Sequence, residues 1–294
     1  MNNKGKGLVT VVIILAVICV VFLVAGFSLL AAWGGARFWE EIPNRVKNVE
    51  DFSINQTQQQ EIEGINKFEF SSVSADMDII FTETDIVTVE LKGTYRSSRG
   101  TVQLKKEKIG NTVRIYVDYP KLSGIFNWNE TDLTITMPMN MQGIELKFNT
   151  VSGDIVIPSG LEASEVRVNS TSGDVDATNI ECDEFHYGNV SGKLDLTGEV
   201  RERIRVDTVS GDTDIDVSEE LELIYINSVS GDVDIYLRKD ADFRFDYDTV
   251  SGDFSSDFAI YESGGKNDRN GFTDQDAEME IEVDTVSGDL RIRN

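Results

Sequence analysis

The chain has 294 residues, 40% of them hydrophobic, and a formal net charge of −25. That length suits one sizeable domain with a packed core, or two small ones. Such an acidic surface repels phosphate, which argues against nucleic acid and anionic lipid headgroups as partners and leaves cations, basic proteins and envelope polymers.

The first element is apolar. No charged residue lies between Gly7 and Ala36, and Leu8 to Leu30 is almost wholly hydrophobic. A helix rises about 1.5 Å per residue, so roughly 20 apolar residues cross a bilayer. The expectation is a tail over residues 1–7 and one transmembrane helix over 8–33, with Trp33, Phe38 and Trp39 at the interface. Lys4 and Lys6 place the N-terminus in the cytoplasm and the rest of the chain outside it. A cleaved signal peptide competes, but its apolar region is usually only about 7–15 residues. Val17 and Ile18 precede Cys19 where a lipoprotein would have small residues. Cys19 and Cys182 are the only cysteines and fall on opposite sides of the membrane boundary, so no internal disulfide is expected.

Residues 34–62 read as a juxtamembrane linker, with Pro43 and the polar run Asn55 to Gln60. The domain proper is expected over 63–294. Its first part carries strand patterns at Asp85–Tyr95, Thr101–Lys108, Thr112–Tyr119 and Thr131–Met137, with a hairpin turn at Gly110-Asn111. It reads as an N-terminal β cap.

A repeat follows. Asn149-Thr150-Val151-Ser152-Gly153-Asp154 returns around Gly173, Gly192, Gly211, Gly231, Gly252 and Gly288, at spacings of 20, 19, 19, 20, 21 and 36 residues. Ser72-Val73-Ser74-Ala75-Asp76 is a weaker early copy. The flanks alternate: Ile204, Val206 and Thr208 precede one turn, and Thr213, Ile215 and Val217 follow it, with charged residues between. Period two means half-buried strands. About 20 residues per repeat suits one coil of a parallel β-solenoid. The predicted fold is therefore all-β: a parallel solenoid with a β cap, preceded by one transmembrane helix. The stretched interval from Ser255 to Glu278 reads as a protruding loop.

The repeated glycines are expected at positive φ, and the serines as turn-makers. The serines are not read as nucleophiles, because no Gly-x-Ser-x-Gly elbow is present and His186 is the only histidine.

These turns, the early Val-Ser-Ala-Asp copy, Ile135-Thr136-Met137-Pro138 and the final Val283 to Leu290 resemble a bacterial family of β-strand-repeat domains described as candidate adhesins, which includes LiaG-like envelope-stress proteins. The resemblance covers about residues 65–294. It implies an envelope-facing domain and brings no catalytic residues. Lys193 in the Asp column and Thr171 in the Val column depart from the pattern.

Stacking would align Asp154, Asp174, Asp212, Asp232 and Asp253 in one column broken by Lys193, and Asp176, Asp195, Asp214 and Asp234 in a second. Adjacent charges about 4.8 Å apart repel by about 1 kcal/mol or less in water. Solvent can bear that, and a calcium ion would relieve it. The repeat lacks the Gly-Gly-x-Gly-x-Asp pattern of calcium β-rolls, so a solvated acidic face is the reading preferred over calcium. Cys182 and His186 share a face only if their strand is regular, and they cannot supply a zinc ligand set. No catalytic, cofactor-binding or metal-ligating residue is assigned, and no cofactor is called for.

Three functions follow: a membrane-anchored module that binds envelope polymer or a membrane protein, an envelope-stress accessory acting through a membrane partner, and a polysaccharide-acting solenoid enzyme. Repetition along one surface favours binding.

Overall fold

The computed structural model describes residues 50–97, 100–120, 128–217 and 221–294. The expected tail, membrane helix and first part of the linker lie outside these residues. Among the described residues there is no helix, and the domain is all-β.

The N-terminal part supplies Glu50–Glu61 (β1), Lys67–Ser71 (β2), Asp76–Thr82 (β3), Ile86–Ser97 (β4), Gln103–Ile109 (β5), Thr112–Asp118 (β6) and Trp128–Pro138 (β7). The middle supplies Asn140–Asn149 (β8), Ile155–Ile157 (β9), Glu162–Asn169 (β10), Val175–Ser191 (β11), Leu194–Ser210 (β12), Thr213–Val217 (β13), Leu223–Ser230 (β14) and Val233–Tyr236 (β15). The C-terminal part supplies Phe243–Asp248 (β16), Phe254–Ser256 (β17), Tyr261–Gly265 (β18), Asp268–Phe272 (β19), Met279–Ser287 (β20) and Leu290–Arg293 (β21).

Strands that enter the turns stack in parallel in the order β6, β2, β8, β10, β11, β12, β14, β20, β16. Strands that leave them stack in the order β7, β3, β9, β11, β12, β13, β15, β21, β17. β11 and β12 are long because each runs from one turn round a corner to the next. The expected coils are thus present, each forming one rung of a stack.

The rungs do not follow chain order at the C-terminal end. β20 and β21 insert between β14/β15 and β16/β17. The 36-residue spacing marks this insertion. The segment expected as a protruding loop is instead a hairpin of β18 and β19, and β19 pairs antiparallel with the edge strand β16. A sheet edge with unpaired N–H and C=O groups invites association, and the hairpin covers it.

The other end is closed in the same manner. β4 pairs antiparallel with β7, β1 with β4, and β5 with β6. The linker expected over 34–62 therefore ends sooner, because residues 50–61 form β1. Its polar run reads poorly as a strand, since Gln56 and Gln58 stand where apolar residues would alternate. Their amides instead bond the backbone of the segment entering β5: Gln56 Nε2 donates to Val102 O at 3.0 Å, Gln58 Nε2 to Leu104 O at 3.1 Å, and Leu104 N to Gln56 Oε1 at 2.7 Å.

The inward positions make one continuous core. Aliphatic residues fill the middle rungs, as with Leu194, Leu196, Ile215, Ile224, Ile226 and Ile235. Aromatic rings plug both ends. Phe70 stacks on Phe148 with centroids 5.4 Å apart, and Phe245 stacks on Phe254 at 4.7 Å. Burying each such ring stabilises the fold by roughly 1.5–3 kcal/mol before entropy is counted.

Candidate functional site

The turns line up as a ridge along one corner of the stack. Their first polar residue is buried. In Thr150, Ser170 and Thr249 its hydroxyl accepts the N–H of the glycine three residues on, at 2.9, 2.8 and 2.9 Å. These buried hydroxyls, more than the serines of Val-Ser-Gly, shape the bend. The serines that follow are exposed and link rungs: Ser152 Oγ donates to Val73 O, Ser172 Oγ to Val151 O, and Ser251 Oγ to Val286 O, at 3.3, 3.1 and 3.3 Å.

The glycines are needed mainly for close approach. A β-carbon on Gly173 would overlap the carbonyl of Gly153, and one on Gly288 that of Gly231. Of the repeat glycines only Gly211 and Gly231 also take a positive φ, of 147° and 145°. The expected conformational reason thus holds at those two, and stacking supplies the common one.

The valines of the turns are not core residues. Val151, Val190, Val209, Val229 and Val286 are half-buried, and at the two ends Val73 is 43% and Val250 56% exposed. Thr171 continues the line. The result is an apolar ridge the length of the stack, bordered by the serines and by the aspartates.

The first acidic column forms as expected and gains members. Each carboxylate accepts the backbone N–H of its counterpart on the next rung: Asp76 from Asp154, Asp154 from Asp174, Asp174 from Lys193, and Asp212 from Asp232, at 2.8–3.0 Å. Rung insertion then places Asp289 between Asp232 and Asp253. The aspartates are therefore structural acceptors as well as surface charges. Burial opposes ionisation of Asp232, but the Asp289 N–H and the Arg291 guanidinium hold its pKa below the usual value.

The second column pairs Asp176 with Asp195, Asp195 with Asp214, and Asp214 with Asp234. Lys193 compensates its middle, with Nζ 2.8 Å from Asp195 and 2.7 Å from Asp214. Hydrogen bonds from Nζ to those two carboxylates push the Lys193 pKa well above its ordinary value. Arg293 pairs with Asp234 at 2.6 Å, and Arg291 reaches Asp232, Asp289 and Asp234 at 2.8, 3.0 and 3.3 Å. Lys193, which departs from the repeat by sequence, thus acts as the column's internal counter-ion.

Cys182 and His186 do not meet. The β11–β12 register shifts between Cys182 and Glu184, which turns Cys182 into the core and His186 to the outer face. Burial pushes the Cys182 thiol up to about 12, so it is inert. His186 Nε2 lies 2.8 Å from Glu184 and 3.4 Å from Glu165. Arg167, 2.5 Å from Glu165, makes this trio part of an ion-pair network. His186 was not linked to these glutamates by sequence, since they lie on different strands or at short range with no motif.

Coils stacked around a shared core, with a turn ridge and charge columns in register, define a β-solenoid domain of the toastrack kind. A family model described as Toastrack DUF4097 matches residues 65–223 and 189–293, and the chain belongs to that family. It is the β-strand-repeat family that the turn motifs resemble. No curated protein matches the chain. Among solved structures, a candidate adhesin from Bacteroides fragilis is 15% identical, with 81% of this chain and 96% of that one covered and a TM-score of 0.47. A candidate cell adhesion protein from Clostridium sporogenes is 14% identical over 84% of this chain and 99% of that one, with a TM-score of 0.41. A candidate lipid-binding protein from Parabacteroides distasonis is also 14% identical, over 81% and 96%, with a TM-score of 0.41.

Proposed function

We propose that the chain is a membrane-anchored, extracytoplasmic module that binds at the cell envelope through its turn ridge and does not turn over a substrate. The observation that carries this reading is the ridge itself: half-exposed valines in register, flanked by exposed serines and acids, repeated from Val73 to Val250. A long surface with one chemistry suits an extended or repetitive partner. The unusual polar groups recur by rung, whereas an enzyme needs one non-repeating constellation. The uncharged run from Gly7 to Ala36 supports the anchor, with the N-terminus cytoplasmic. An envelope polymer is the partner the reading favours. A membrane protein of an envelope-stress response is the alternative that the family resemblance allows.

The test has two arms. Protease added to intact protoplasts removes the domain if it faces outward, and full protection overturns the topology. Purified protein is then sedimented with isolated cell-wall sacculi. Replacing Val209 and Val229 together with Lys lowers the bound fraction while the circular dichroism spectrum stays unchanged. Binding equal to the parent chain would remove the ridge from the proposal.

A further inference from the structure

The hairpin is the part of the chain that no rung repeats, and one of its faces differs from the rest of the stack. In the β18–β19–β16 ladder Tyr261 stands opposite Phe272, and Phe272 opposite Arg244. Two residues along, Ser263 stands opposite Asn270, and Asn270 opposite Asp246. Cross-strand partners and alternate residues share a face. Arg244 and Asp246 are exposed while Phe243, Phe245 and Tyr247 are buried, so this set lies on the outer face. Tyr261 is 72% exposed, the highest value for a large hydrophobic side chain among the described residues. Its ring centroid is 5.6 Å from that of Phe272, with the planes tilted by 31°.

Polar groups stand directly beside these rings. Ser263 Oγ donates to Asn270 Oδ1 at 2.6 Å. That bond orients the amide and leaves its Nδ2 as an outward donor. Arg244, 3.7 Å from Glu280, borders the rings on the other side. A cleft of about 230 Å³ lies among Arg244, Tyr261, Ser263, Asn270 and Phe272. Its support is rigid. A β-carbon on Gly271 would overlap the Tyr261 carbonyl and the Phe245 ring, so the hairpin lies tight against the aromatic plug. Phe245 is itself stacked on Phe254. A site held by packed strands needs little reordering when it binds.

We propose that this face of the hairpin binds an uncharged pyranose glycan, with Tyr261 and Phe272 as the stacking platform and Ser263, Asn270 and Arg244 as hydrogen-bonding partners of its hydroxyls. An aromatic ring is negative on its face and attracts the C–H-lined side of a sugar ring. Sugar hydroxyls both donate and accept, which matches a hydroxyl, an amide and a guanidinium side by side. The cleft is smaller than the roughly 300–1,000 Å³ of pockets for drug-sized ligands. It suits a single sugar ring, with the rest of the glycan running on along the sheet. The next rung selects the charge of the ligand. Glu280, Glu282 and Asp284 project from β20 on the same face, and they repel a polymer that carries phosphate or carboxylate. The site goes beyond the turn ridge and shares no residue with it, so either can fail while the other stands.

The experiment is saturation-transfer difference NMR on the full-length chain, in micelles of a detergent without a sugar headgroup. The probes are triacetylchitotriose, cellotriose and, as the charged arm, trigalacturonic acid, each at millimolar concentration. At least one neutral trisaccharide is expected to receive saturation, strongest on the ring protons of one sugar face. Tyr261→Ala lowers that signal at least fivefold while the circular dichroism spectrum is retained, and Tyr261→Phe keeps it. Asn270→Ala lowers it at least twofold. Tyr236→Ala, which removes an exposed tyrosine from β15, leaves it unchanged. Absence of signal from both neutral probes, an equal signal in Tyr261→Ala, or the same loss in Tyr236→Ala would each overturn the assignment. So would a stronger signal from trigalacturonic acid, because the acids of β20 would then not be selecting against charge.

Discussion

Gly231 stands directly on Gly211: a β-carbon built on Gly231 would overlap the Gly211 carbonyl oxygen, with the backbone of both turns fixed by stacking. Gly231 also has φ of 145°, which L side chains rarely adopt. Gly231→Ala must therefore spread two rungs and strain the bend. A cost of about 1–3 kcal/mol is expected from overpacking alone. Ser230→Ala, at an exposed position, should stay within about 0.5 kcal/mol. Urea unfolding of both variants checks this, and equal losses would remove the stacking account.

Lys193 offers a second test. Its ammonium joins Asp195 and Asp214 on consecutive rungs. Its side chain is 44% exposed, so solvent screens the pair and the contribution is modest, about 0.5–1 kcal/mol at low salt. Lys193→Gln should destabilise by that amount at low ionic strength and by much less in molar salt. A loss that does not depend on salt would mean that packing of the lysine stem matters, not its charge.

Much of the fold was legible in the sequence because solenoid coils repeat their chemistry. Period-two alternation around each Val-Ser-Gly-Asp turn announced the strands, and the near-constant 20-residue spacing announced the rungs. What stayed hidden depended on order in space. No local pattern says that β21 lies between β15 and β17, so Asp289 fell outside the expected column. β1 was hidden because its alternate positions hold Gln56 and Gln58, whose amides satisfy backbone groups 46 and more residues away. For Cys182 and His186 spacing alone left the face open, and a bulge breaks the parity that a shared face would need. The Asn227–Asp284 register pairing joins residues 57 apart in sequence, a separation set by the same rung insertion.

Asp284 predicts a pH dependence. Its folded pKa is raised to about 6, above the ordinary carboxylate value of 3.8, by burial and by Asp248, Asp246 and Glu282. A raised pKa means that the folded state holds the proton more tightly than the unfolded state. Its contribution is therefore most favourable at low pH and is lost as pH rises through about 6. The groups that shift it are these acids, and Asn227 beside it is neutral. Tm should fall between about pH 4 and pH 6 by more in the parent chain than in Asp284→Asn. Identical pH profiles for the two proteins would show that Asp284 is not the group responsible.

The hairpin β18–β19 gives the last prediction. Read from sequence as a protruding loop, it could be removed without consequence for the fold. In the structure β19 supplies the antiparallel partner of β16 from Arg244–Phe272 to Asp248–Asp268. It also lays Gly271 against the Phe245 ring, and Arg269 over Phe254 with its guanidinium 5.8 Å from the ring centroid. Removing residues 261–272 and joining the ends with a short Gly-Ser link exposes the edge of β16 and the aromatic plug at that end. Unpaired edges pair with other chains. The expected outcome is a lower Tm and concentration-dependent self-association in sedimentation velocity. A control with Lys266 and Asn267 alone replaced by Gly should remain monomeric, because it loses the Lys266–Asp253 pair and the Asn267 amide bond to Val250 O but keeps the β16–β19 ladder. If the deleted chain melts like the parent and sediments as a monomer at high concentration, the hairpin is not an edge cover, and its role must be sought in binding instead.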